Sequence, residues 1–113
     1  MKNSPTQRTL KELRDHYAPS AVETTEHWNP WSKTRRDLFG FCDVLAIVGT
    51  TTMAVQTTSA SNHAARVAKL QAEPRVRAVL QAGWLVQVWS WRKPAKARSW
   101  VCRKEEITLE DLP

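Results

Sequence analysis

A chain of 113 residues accommodates one domain with a modest core, not two. Its 17 basic residues outnumber 11 acidic ones, giving a formal charge of +6, which suits a polyanionic partner but says nothing about fold. No apolar run approaches the ~20 residues of a membrane span, Met1-Lys2-Asn3-Ser4-Pro5 lacks the apolar stretch of a signal peptide, and Cys42 and Cys102 are not spaced as zinc ligands. The reading is a soluble, cytoplasmic protein with reduced thiols, whose first four residues and residues 106–113 fray.

Ser4-Pro5-Thr6-Gln7 is a helix start, with Ser4 as cap, Pro5 in the first helical position and Gln7 completing a capping box. Leu10, Leu13 and Tyr17 form an apolar stripe, and Pro19 ends the helix. Ala21 to Trp28 is rich in β-branched residues and alternates, with Val22, Thr24, Glu26 and Trp28 on one face. After a turn at Asn29-Pro30-Trp31-Ser32, Phe39 to Val48 is apolar on both faces, as a central strand is. Gly49 and the Thr50-Thr51 pair turn the chain into a strand over Met53 to Thr58.

Ser59-Ala60-Ser61-Asn62 joins this strand to a helix from His63, with Ala64, Val67, Ala68 and Gln71 on its small-residue face. Pro74 restarts the helix, Val76, Val79 and Leu80 point inward, and Gly83 is the natural residue beyond its end. Trp84 to Trp91 alternates as a strand, Arg92 to Ser99 is a basic hairpin loop, and Trp100-Val101-Cys102 returns as a short strand. The order α-β-β-β-α-β-β gives an α/β (α+β) fold, with a mixed central sheet of about five strands flanked by helices. The long connection from the Gln56 strand to the Trp84 strand makes that pair parallel.

Asp43 lies in Phe-Cys-Asp-Val-Leu-Ala-Ile, where an ionised carboxylate is costly unless something pairs with it. Gln56 and Thr58 share one face of the following strand. Oxygen ligands converging from neighbouring strands suit a divalent cation. Asp37 follows two arginines, so pairing with them or capping the strand entry competes with a site role.

Phe39-Gly40-Phe41-Cys42-Asp43, Val55-Gln56-Thr57-Thr58 and Ser61-Asn62-His63-Ala64-Ala65-Arg66 carry a resemblance through their order and spacing. Over roughly residues 8–104 the chain resembles the PD-(D/E)xK nuclease superfamily, most of all its small phage-type and Holliday-junction-resolvase-like members. The resemblance implies a restriction-endonuclease-like fold and a metal-dependent DNA endonuclease, acting as a homodimer in a bacterial or phage-infected cell. Asp43 takes the place of the family's metal-binding aspartate, and Glu26 that of an additional acidic ligand. Gln56 stands where the family has Glu or Asp, and Thr58 where it has Lys. Mg²⁺ or Mn²⁺ is the implied cofactor, held by Glu26, Asp43 and Gln56. Arg66 or Lys69, from the neighbouring helix, replaces the missing ammonium, and His63 is a candidate general base or water-orienting group.

Two basic sets, Lys33-Arg35-Arg36 and Arg92-Lys93-Lys96-Arg98, flank the candidate site in sequence. As phosphate contacts they position a nucleic-acid backbone without reading bases. Six tryptophans serve core packing first and base stacking second. Two further readings stay open: a nuclease-derived fold that only binds nucleic acid, suggested by the Gln and Thr departures, and a protein-binding domain anchored by exposed tryptophans.

Overall fold

The computed structural model describes residues 4–113. Helix α1 spans Pro5–His16, with the Ser4 hydroxyl accepting from the Gln7 N–H at 3.2 Å. Strand β1 is Ala21–Thr24, β2 His27–Asn29, β3 Thr34–Arg36, β4 Val44–Val48 and β5 Thr51–Ser59. A short 3₁₀ turn at Ala60–Asn62 leads into α2, His63–Ala72, and α3, Pro74–Gln81. Strands β6, Leu85–Arg92, and β7, Val101–Ile107, precede a last 3₁₀ turn at Leu109–Asp111. Among the described residues no helix is long and apolar enough to cross a membrane.

Five strands form one mixed sheet in the order β1-β4-β5-β6-β7, and the expected parallel pair is β5 with β6. Two apolar clusters line its faces. Leu10 and Leu13 of α1 pack with Val44, Ala46, Met53, Val55, Trp89 and Trp91 on one side. Leu70, Val76 and Val79 of α2 and α3 pack with Phe41, Ala54, Val86, Val88 and Ile107 on the other. The central strands β4, β5 and β6 are therefore covered on both faces by helices, while β1 and most of β7 stay exposed. Each fully enclosed Leu or Val contributes about 1.5–3 kcal/mol of burial free energy.

Four expectations change. The Ala21–Trp28 strand breaks after Thr24. Thr25 donates its N–H to the Asp43 carbonyl at 2.9 Å, in register with the β1–β4 pairing, and its hydroxyl to the Cys42 carbonyl, after which the chain leaves the sheet. Residues from His27 instead pair with Thr34–Arg36 as a separate two-stranded hairpin, which the expected element order lacks. Second, the Phe39–Val48 strand begins only at Val44. Ahead of it, Leu38 and Cys42 close a tight turn through Phe39 (φ 55°) and Gly40 (φ 78°). Gly40 permits the left-handed backbone that turns Phe41 into the core while Phe39 stays exposed.

Third, α2 buries His63 and Leu70 and packs Val67, while Ala64 and Ala68 face solvent. Enclosing a leucine and a valine removes more apolar area from water than enclosing two alanines. Fourth, residues 106–113, read as a frayed end, carry regular structure as far as Asp111. Strand β7 pairs with β6 as far as Ile107, which is fully buried, and Thr108 and Asp111 form a capping box. The tail carries an apolar anchor inside an acidic sequence, which hides it from composition. Of residues 1–4, expected to fray, Ser4 caps α1, and 1–3 lie outside the described residues.

Candidate active site

Strand registers place several ends at one margin of the sheet. Val44 at the start of β4 faces Val55, Ser59 at the end of β5 faces Trp91, and Arg92 faces Val101. The first turn of α1 reaches the same margin, where the Thr6 and Thr57 hydroxyls lie 2.9 Å apart. Ends of strands between helices are where open α/β sheets leave crevices. Here the crevice is a pocket of about 390 Å³ lined by Pro5, Thr6, Glu26, Asp37, Asp43, Gln56 to Ser59, Asn62 and Arg66.

Asp43 lines it from one residue ahead of β4. Its N–H donates to the Val55 carbonyl at 2.9 Å. Its Oδ2 accepts from the Gln56 Nε2 amide and from the Thr57 N–H at 2.8 Å. Burial pushes this carboxyl up to about 7 from its ordinary 3.8, and a hydrogen bond shared with the Asp37 carboxyl adds to the rise. The Thr57 N–H and the charge of Lys69 oppose it. Burial with a like-charged neighbour is how a carboxyl comes to titrate near neutrality.

Gln56 and Thr58 are buried on the same face of β5, as alternation requires. The Gln56 amide donates to Asp43, while its Oε1 is buried without a hydrogen-bond partner. An acceptor left this way costs about 1–3 kcal/mol, so it marks a place where a donor or cation fits. Asp37 enters because the Leu38–Cys42 turn folds the chain back, with the Gly40 N–H on the Asp37 carbonyl at 3.0 Å. Sequence alone gave Asp37 a competing role as partner of Arg35 and Arg36. The signal that could have raised it was Gly40, the residue type a reversal needs.

Glu26 lines the pocket, yet its carboxylate is exposed and lies 3.5 Å from Arg35. Among the described residues no three His, Cys, Asp or Glu side chains are grouped to hold a metal ion. The side chains that do converge are two carboxyls, Asp43 and Asp37, beside the Gln56 amide, whose nitrogen faces Asp43. Two carboxyls fit Mg²⁺ or Mn²⁺, which need only one or two carboxylates beside waters and substrate phosphate, and the Gln56 oxygen would join them only with its amide turned about.

Arg66 of α2 lines the pocket, and Lys69 acts on Asp43 through its charge. Lys69 also lines an adjoining pocket of about 330 Å³ with Arg35, Arg36, Asp37, Gly40 and Arg75. Lys33 lies in the β2–β3 turn and is exposed. Arg92, Lys93, Lys96 and Arg98 are exposed at and beyond the end of β6.

His63 is placed apart from the Asp43 pocket. It is buried, with Nδ1 2.6 Å from the Ser90 hydroxyl and Nε2 2.8 Å from Glu105 Oε1. An ionised carboxylate can only accept, so Nε2 donates to Glu105, and the Ser90 hydroxyl, which can donate or accept, satisfies Nδ1. Both nitrogens are engaged in tying α2 to β6 and β7. Ser90 and Glu105 gave no sign in sequence of belonging together, because the β6–β7 register unites them. Cys42 and Cys102 are free among the described residues, and burial pushes their thiols up to about 11 and about 12, which disfavours the reactive thiolate.

No family model matches the chain, no curated protein matches it, and no solved structure matches it.

Proposed function

We propose that this protein is a metal-dependent deoxyribonuclease that hydrolyses phosphodiester bonds, on a restriction-endonuclease-like frame of the PD-(D/E)xK kind. The observation that carries the reading is the half-buried Asp43 carboxyl, raised toward neutrality beside Asp37 and held by the Gln56 amide at an open pocket. Asp43, Asp37 and Gln56 would hold Mg²⁺ or Mn²⁺, which supplies Lewis-acid polarisation of a phosphoryl oxygen and lowers the pKa of water.

The remaining work belongs to side chains of the chain itself. Asp43 is fixed by the Thr57 N–H and the Gln56 amide, so its free lone pairs point in a set direction. Arg66 at the pocket wall and Lys69 beside it stabilise charge developing on the phosphoryl group, the task that Thr58 cannot perform. Lys33, Arg35, Arg36 and the Arg92–Arg98 set attract the DNA backbone. With both nitrogens engaged apart from the Asp43 pocket, His63 has no part in the proposed chemistry and ties α2 to β6 and β7 instead.

A second reading, a nuclease-like module that binds DNA without cutting it, is favoured by the Thr58 hydroxyl where an ammonium is the usual cation. Cleavage of labelled duplex, single-stranded and four-way-junction DNA separates the two. Cutting that requires Mg²⁺ or Mn²⁺, stops with EDTA and is lost in Asp43→Ala supports the nuclease. Salt-sensitive binding with no cutting under any metal establishes the binding module instead.

A further inference from the structure

We infer that the pocket margin of the sheet is a landing surface for an unpaired nucleic-acid strand, held by base stacking on tryptophans that project on either side of the pocket. The inference takes from the nuclease reading the reason for a strand to lie there. It stands on different residues and is tested without cleavage.

Trp89 and Trp91 are core, and Trp84 is half-buried against Phe39. The other three remain in solvent: Trp31 is 93% exposed, Trp28 51% and Trp100 44%. All three lie on two projections. The β2–β3 hairpin carries Trp28 and Trp31, and the β6–β7 loop ends at Trp100. β1 leads into the hairpin at Thr24, opposite Val44, and β6 leads into the loop at Arg92. Both departures are at the margin that holds Asp43. β1 and β6 stand three strand spacings apart, roughly 14 Å, with β4 and β5 and their pocket between them. A short extended strand crossing the pocket therefore meets a tryptophan-bearing projection at each side.

The hairpin backbone and one of the three rings are supported in place. The Asn29 side-chain oxygen accepts from the backbone N–H groups of Trp31 at 2.9 Å and Ser32 at 3.4 Å, which fixes the hairpin tip. The Arg8 guanidinium covers one face of Trp100, 3.6 Å from the ring centroid, so the exposed area of that ring lies on its edge and opposite face. A base stacking there would meet an aromatic already held, which lowers the ordering cost of binding.

Charge accompanies the rings on each projection. Lys33, Arg35 and Arg36 belong to the hairpin, and Arg92, Lys93, Lys96 and Arg98 to the loop. Cations interleaved with exposed aromatics form the surface that single strands use, because every unpaired base offers a face and every nucleotide a phosphate. A duplex hides its base faces, and phosphate contact alone leaves three exposed indoles unexplained.

The test is binding in EDTA, with fluorescence anisotropy of labelled oligothymidine, oligouridine and a duplex of equal length across a salt series. Single strands of either sugar are expected to bind at least about tenfold tighter than duplex and to quench tryptophan emission. Trp31→Ala and Trp100→Ala should each weaken single-strand binding about 5- to 100-fold, the range of base–aromatic stacking, while leaving duplex binding unchanged. Trp31 touches solvent almost entirely, so its replacement leaves the fold intact. Equal or tighter duplex binding, or no loss in the two variants, overturns the inference, as does failure to bind any of the three probes. Absence of cleavage with tryptophan-dependent single-strand binding retained would sink the nuclease reading and support this one.

Discussion

Replacing Asp43 by Asn should abolish cleavage and at the same time stabilise the metal-free protein, by an amount that depends on pH. In the unfolded chain this carboxyl titrates at its ordinary 3.8, and in the folded one at about 7. Between those values the native state holds a proton that the unfolded state has released, so stability falls as pH rises through the window. Below the window Asp43 is protonated in both states and imposes no penalty. Above it, a shift of about three units at 1.36 kcal/mol each sets an upper figure of about 4 kcal/mol. Asp43 keeps some solvent contact, which brings the expected cost to about 2–4 kcal/mol. Asn retains an oxygen for the Gln56 amide and the Thr57 N–H, and gains an amide that can donate to Asp37. Urea unfolding in EDTA should therefore give similar stabilities for wild type and Asp43→Asn near about pH 4, and a variant about 2–4 kcal/mol more stable near about pH 8.5. Saturating Mg²⁺ should narrow the gap by stabilising wild type alone. Parallel pH curves for the two proteins, or a variant destabilised equally throughout, would refute the burial and charge argument.

Gln56→Glu places a third carboxyl against Asp43 and Asp37. It should raise Mn²⁺ affinity by about tenfold or more, read by calorimetry, while lowering neutral-pH stability in EDTA. His63→Ala leaves the buried Ser90 hydroxyl without its partner and opens a cavity, while Glu105 keeps solvent and Arg103. A loss of about 2–3 kcal/mol in urea unfolding is expected, with Mn²⁺ affinity unchanged; a change in metal affinity at constant stability would mean that His63 belongs to the Asp43 site. Ile107→Ala removes the fully buried anchor of β7 and should cost about 2–4 kcal/mol. A negligible loss in urea unfolding would show that the tail is not packed as described.

Local pattern determined much of this protein. The Ser4-Pro5 start and the Leu10–Leu13 stripe define α1, because capping and periodicity act within one helix. Alternation put Gln56 and Thr58 on one face of β5, and the long connection after it made β5 and β6 parallel. The anomaly of Asp43 among apolar neighbours was also legible, since burial cost attaches to a residue type in a local setting. Tertiary structure decided what depends on partners far along the chain. The chain leaves the sheet after Thr25, the last residue bonded in register to the β4 side, and that departure frees the hairpin bearing Trp28 and Trp31. Asp37 joins Asp43 through a turn that a single glycine permits, and Glu26 faces Arg35 because the hairpin folds them together. His63 meets Ser90 and Glu105 through the register of β6 against β7. Hydrogen-bond and charge partners distant in sequence are chosen by packing, and no periodicity within a segment encodes them.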